Sequence, residues 1–140
     1  MAWDVLIFNL RGASPSSLDD LKESDVFPLG PAMQVRQRIS TLLPDVDWSE
    51  PEWGIYGDDG VSIEFNIGNE ELVENMMLHV RGDGDAISVI GRFVPSLGWK
   101  ALDCSTSEFL DFQNPSEEGW KGFQAFRNKI IDKFGDKGGS

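Results

Sequence analysis

The chain has 140 residues, 40% hydrophobic and 26% charged, with 24 acidic residues against 12 basic ones and a formal net charge of −12. That is enough apolar material for one core, read as a single domain over residues 1–135 with a flexible tail at 136–140, and too much for a disordered segment. Phosphate backbones and anionic membrane surfaces call for a basic patch, so nucleic acid and membrane are excluded as partners, and a basic protein is the electrostatic complement.

In chain order, Trp3–Leu10 (WDVLIFNL) is a β-branched and aromatic run. It predicts a strand apolar on both faces, hence central in a sheet. Arg11–Ser17 is a Gly/Ser/Pro loop, and Ser17–Lys22 can form one helical turn capped by Ser17. Val26, Phe27 and Leu29 then anchor an irregular loop on the core. Pro31–Leu43 predicts a helix, with Pro31 at its first position, Pro44 at its stop and a stripe of Ala32, Val35, Ile39, Leu42 and Leu43. Asp45–Trp53 (DVDWSEPEW) reads as a loop.

Trp53–Tyr56 and Val61–Ile67 flank Gly57-Asp58-Asp59-Gly60, the pattern of a hairpin. In the second arm Val61, Ile63, Phe65 and Ile67 face one way, and Ser62, Glu64 and Asn66 the other. Glu74–Val80 predicts another strand, with Met76, Leu78 and Val80 opposed to Met77, His79 and Arg81. Asp85–Leu97 predicts a helix with Asp85 as its cap, Gly98 beyond its end and Pro95 kinking or shortening it. Trp99–Cys104 and Glu108–Phe112 are the last strands. Asn114–Phe134 predicts a long helix with Pro115 at its first position and a stripe of Trp120, Phe123, Phe126, Ile130, Ile131 and Phe134.

The expected fold is α+β: a mixed, mostly antiparallel sheet of about five to six strands, with three helices mainly on one face. The unit from Glu74 to Cys104 would add one parallel, right-handed crossover. The other sheet face would be open, presenting Ser62, Glu64, Asn66, Met77, His79 and Arg81. Cys104 is the single cysteine, which excludes an intrachain disulfide framework and a cysteine zinc site. Met1-Ala2-Trp3-Asp4 opens without a basic and apolar leader, and no apolar run approaches the roughly 20 residues that span a bilayer, so a cytoplasmic location is expected.

The charge is uneven. No lysine or arginine lies between Arg38 and Arg81, an interval holding Asp45, Asp47, Glu50, Glu52, Asp58, Asp59, Glu64, Glu70, Glu71 and Glu74. Within it, Trp48 and Trp53 sit among Asp45, Asp47, Glu50 and Glu52, with Pro51 stiffening the backbone. Aromatic anchors ringed by charge have the anatomy of a binding hot spot, and acids steer a basic partner in. The candidate partner-binding residues are therefore Trp48, Glu50, Glu52, Trp53, Asp58 and Asp59; the competing reading turns both tryptophans inward onto the core.

Catalytic signals are weaker. His79 and Cys104 could form a dyad only if the fold joins them with a lowered thiol pKa. Neither Asp45-Asp47-Ser49 nor Asp83-Asp85 has the spacing of a calcium loop, and GDGD at Gly82–Asp85 would repel a phosphate. No catalytic residue, metal site or cofactor is assigned. The alternative to a binding module is a small enzyme or ligand-binding protein using the open sheet face, with Glu64 as acid or base beside His79 and Arg81.

The phrases MAWDVLIFN at the start, DWSEPEWG at Asp47–Gly54, SIEFNIG at Ser62–Gly68, MMLHVRG at Met76–Gly82 and GWKALDCSTSEFLDF at Gly98–Phe112 occur together. On these the chain resembles a group of short, uncharacterised bacterial proteins of this layout, from Trp3 to about Ile131. Small acidic single-domain proteins of this kind look like immunity proteins, which neutralise a basic toxin by capping its active site. The resemblance thus implies a non-enzymatic, acidic protein-binding module, such as an immunity-like inhibitor of a basic toxin.

Overall fold

The N-terminal apolar run forms the long strand β1 (Trp3–Leu10). The computed structural model describes residues 2–10, 22–58, 60–82, 84–112 and Lys121. After a 3-10 turn at Glu23–Asp25 come β2 (Val26–Phe27), β3 (Gly30–Pro31), α1 (Ala32–Leu42), β4 (Asp47–Glu50), β5 (Trp53–Asp58) and β6 (Val61–Asn66). Then follow β7 (Leu72–Val73), β8 (Asn75–Gly82), α2 (Ala86–Gly91), β9 (Lys100–Asp103) and β10 (Glu108–Phe109). The turn expected at Ser17–Lys22 and the helix at Asn114–Phe134 lie outside the described residues, Lys22 and Lys121 apart, as does the 136–140 tail.

The large sheet runs β10-β9-β1-β8-β6-β5-β4, with β2 also pairing β1, and β3 and β7 form a separate two-stranded sheet. Every pairing is antiparallel. The class is thus α+β with an antiparallel sheet, but the counts differ from expectation: ten strands and two helices are described, against five to six and three. Three of the four unexpected strands, β2, β3 and β7, are two residues long, too short to show alternation in sequence. The expected parallel pair is absent among the described residues. β8 and β9 run parallel to each other, but β1 lies between them and pairs antiparallel to both. A strand apolar on both faces gains most from that central position.

One face of the sheet carries the main core. Val5, Ile7, Ile63, Phe65, Met76, Leu78 and Val80 pack there with Val35 and Ile39 of α1 and Ala86, Ile87, Val89 and Ile90 of α2. Phe65 sits between Trp48 and Phe93, with ring centroids 6.1 and 5.6 Å away. The helical stripe of α1 is as the spacing predicts, with Pro31 at the cap rather than inside the helix. α2 is shorter than expected. Pro95 has no N–H to give the carbonyl of Gly91 and disfavours helical backbone at Val94, so the chain passes from Gly91 through turns to Gly98, at φ +74°.

Asp103 is buried at the end of β9 and accepts from the Trp3 indole Nε1 at 3.1 Å and from the Ser105 N–H at 2.8 Å and Oγ at 2.6 Å. Of the loop anchors, Leu29 is buried, whereas Val26 is 37% exposed and belongs with Phe27 to β2.

Candidate functional site

Antiparallel register puts directly paired residues on the same sheet face. On the face away from the helices two rows cross the sheet. The first runs Trp53, Asn66, Met77, Leu6, Leu102, Phe109, from β5 to β10. The second runs Ile55, Glu64, His79, Asp4. Ser62 and Arg81 pair one position further along. The face is not uniformly polar: over β1 and β9, Phe8, Leu10 and Leu102 are buried in a second apolar cluster with Leu6 and Phe109, and the Phe8 and Phe109 rings meet edge to face at 5.8 Å. The accessible part lies over β8, β6 and β5.

Trp53 and Ile55 are the large apolar side chains of this accessible part, at 40% and 45% exposure. Alternation along β5 puts them there, because Gly54 and Tyr56 point into the core. Beside them on the edge strand, Glu50 pairs with Trp53 and Asp47 with Ile55 across a register shift. The Ser49 side-chain and backbone hydrogen bonds hold the Asp47 carboxyl below its ordinary pKa. Glu64 flanks Ile55 from the inner side. The result is an apolar pair rimmed by carboxylates.

The predicted binding residues do not form one surface. The Asp45–Trp53 stretch is not simply a loop, since Asp47–Glu50 is strand β4; being polar, short and followed by proline, it lacked a strand signature. Its pleat sends the two tryptophans to opposite faces. Trp48 turns inward, partly buried against the core, with Nε1 donating to Ser40 Oγ at 3.0 Å. Trp53 and Glu50 stand on the open face. Glu52 is exposed in the turn, where its carbonyl accepts from the N–H groups of Ile67 and Gly68. Asp58 is exposed at the far end of β5, about 17 Å from Trp53 at 3.3 Å per residue. Asp59 lies outside the described residues.

Glu64, His79 and Arg81 are brought together, as the alternation predicts. His79 is paired in register with both Glu64 and Asp4, and its Nδ1 lies 2.7 Å from Asp4 Oδ1. Asp4 was missed by sequence reasoning. The signal that could have found it is a lone charge within the otherwise uncharged WDVLIFNL, which was read as apolar on both faces. Ile55 was missed too, though Tyr56 and Gly54 pointing inward require it to point out.

The Cys–His dyad finds no support. The Cys104 N–H donates to the Asp4 carbonyl, but the thiol pKa is raised, first by burial and then by the negative charges of Asp4 and Asp103. A nucleophilic cysteine needs the opposite shift. Among the described residues no group of three or more His, Cys, Asp or Glu is placed to hold a metal ion, and no helix is long and apolar enough to cross a membrane. Asp85, considered above for calcium, instead caps α2 by accepting from the Ser88 N–H.

Comparison of the chain with protein-family models, with curated proteins and with solved structures gives no match.

Proposed function

We propose that the protein is a non-enzymatic, acidic protein-binding module, and that it covers a functional surface of a basic protein in the manner of an immunity-like toxin inhibitor. The observation that carries this reading is the exposed pair Trp53 and Ile55 on the open sheet face, bordered by Asp47, Glu50 and Glu64. Large apolar side chains left at 40% and 45% exposure within a polar rim are what a partner desolvates on docking. The rim carboxylates, on a chain of net charge −12, speed encounter with a cationic surface and reject acidic ones.

The test is capture from native lysate with a photo-crosslinking side chain at Asn66, next to Trp53, followed by titration of the purified captured protein. The reading expects a basic partner whose affinity drops about 100-fold or more in the W53S/I55S variant, as hot-spot truncation does. An acidic partner, or an affinity indifferent to both substitutions, overturns it.

A second reading is favoured by one observation, the Asp4–His79 contact at 2.7 Å. A carboxylate on Nδ1 fixes the imidazole orientation and leaves Nε2 as the ring's remaining polar atom for proton transfer, with Glu64 and Arg81 on the same face. This makes a small enzyme or ligand-binding site. A screen of small phosphate and carboxylate esters, read by turnover and by the His79 ring resonances, would support it only if a compound acts on wild type and fails with H79N.

A further inference from the structure

At the end of the molecule where α1 begins, a cleft lies between the first turn of α1, the β4–β5 turn and the loop 68–71. A second cleft is lined by Ile67 and residues 70–75, and the two share Glu70 and Glu71. The β3–β7 pairing builds this place. Pro31 is registered opposite Leu72, and the Ala32 N–H donates to the Glu71 carbonyl at 2.8 Å. Met33, 73% exposed, lines the first cleft and Leu72, 48% exposed, lines the second, each beside the shared Glu71. Glu52, Glu70, Glu71 and Glu74 line the two clefts, and all four residues are exposed. Arg36 is the one cation among the lining residues, and its Nη1 donates to the Pro51 carbonyl at 3.3 Å.

We propose that this double cleft docks a basic amphipathic segment of a partner protein. Apolar side chains of the segment would rest on Met33 and Leu72, and its lysines or arginines would meet the four carboxylates. Charge complementarity selects the occupant. Four carboxylates against one guanidinium disfavour an acidic segment and an anionic lipid surface alike. The two exposed apolar residues make a purely polar cationic ligand a poor fit. Methionine, unbranched and polarisable, adapts to apolar side chains of different shape, as it does in grooves that receive basic amphipathic helices. The proposal uses none of the sheet-face side chains and stands apart from that reading.

The test uses the full-length protein and a fluorescent amphipathic peptide of about 14 residues made of leucine and lysine, long enough to form a helix on binding. Its counterpart carries glutamate in place of lysine. The lysine peptide should bind, move the backbone amide resonances of residues 32–36 and 67–75, and lose about tenfold or more in affinity to E70K/E71K, with a smaller loss to M33Q/L72S. The double variant E108K/D111K, at two exposed positions outside the clefts, makes the same change in net charge and should change affinity by less than about twofold. Resonance shifts spread over the surface, or equal losses in the control and E70K/E71K, overturn the proposal. So does binding of the glutamate peptide with similar affinity. A concentration-dependent dimer abolished by M33Q/L72S also overturns it, in favour of a second copy of the chain.

Discussion

Gly54 lies beneath the indole of Trp48: a Cβ on Gly54 would stand 2.9 Å from the ring atoms Cε3 and Cη2 and 2.8 Å from Val46 Cγ1. Trp48 reaches the core by lying across the neighbouring strand, and it can do so only where that strand carries no side chain. The ring then meets Phe65, and its Nε1 reaches Ser40. Gly54→Ala should lift the indole and break its hydrogen bond, at about 1–3 kcal/mol, the usual range for overpacking. Denaturant unfolding reads the loss. A midpoint within error of wild type would show that the indole can shift without penalty.

This contact also explains the limits of the sequence reading. The inward stripes of β6, β8 and α1 were legible because each repeats one period over several residues, and Ile63, Phe65, Met76, Leu78 and Val80 all lie where alternation puts them. The destination of Trp48 was not legible, because it depends on a glycine six residues away on a paired strand. The same holds for β1. Its two-sided apolarity announced a central strand, but only tertiary pairing reveals that it separates β8 from β9. The candidate site was half legible. Alternation placed Glu64, His79 and Arg81 on one face, while Asp4 and Ile55 joined them only through register between strands far apart in the chain.

Asp103 is the buried charged residue among those described, and three hydrogen bonds converge on its Oδ1. Asp103→Ala would leave the Trp3 indole N–H without this acceptor and release the Ser105 turn. An orphaned buried donor costs about 1–3 kcal/mol, so urea unfolding should show a loss of that size. Asp103→Asn, which keeps one side-chain oxygen acceptor, should recover part of it. Equal losses in the two variants would mean that a single retained oxygen does not serve as acceptor here and that the carboxylate itself is required at this position.

Asp85 links α2 to pH. The Ser88 hydroxyl and backbone N–H donate to its carboxylate, and these bonds lower its pKa in the folded state. A carboxyl depressed on folding contributes stability above its unfolded pKa of about 3.9, and that contribution disappears as the pH falls through the folded value. Asp85→Ala should therefore cost about 0.5–2 kcal/mol at pH 7, as lost helix caps do. The gap between wild type and variant should narrow in acid. Paired thermal melts at pH 7 and at about pH 3 test this; a gap that is constant or wider in acid would contradict the hydrogen-bonded cap.

The Cys104 thiol tests the Cys–His dyad. Burial raises its pKa first, and the charges of Asp4 and Asp103 raise it further, so little thiolate exists at neutral pH although the residue is exposed. Iodoacetamide labelling at pH 7 should then be slower than that of an unstructured cysteine peptide, since the thiolate is the reacting species. Asp4→Asn takes away one neighbouring charge and should speed labelling, with the difference vanishing at a pH where the thiol is fully ionised. His79→Asn provides the opposing test. In a Cys–His dyad, loss of the imidazole would slow labelling. Here the ring is engaged with Asp4 through Nδ1, so the variant should show no such slowing. A marked slowing in H79N, or fast labelling of wild type at pH 7, would restore the dyad that the geometry argues against.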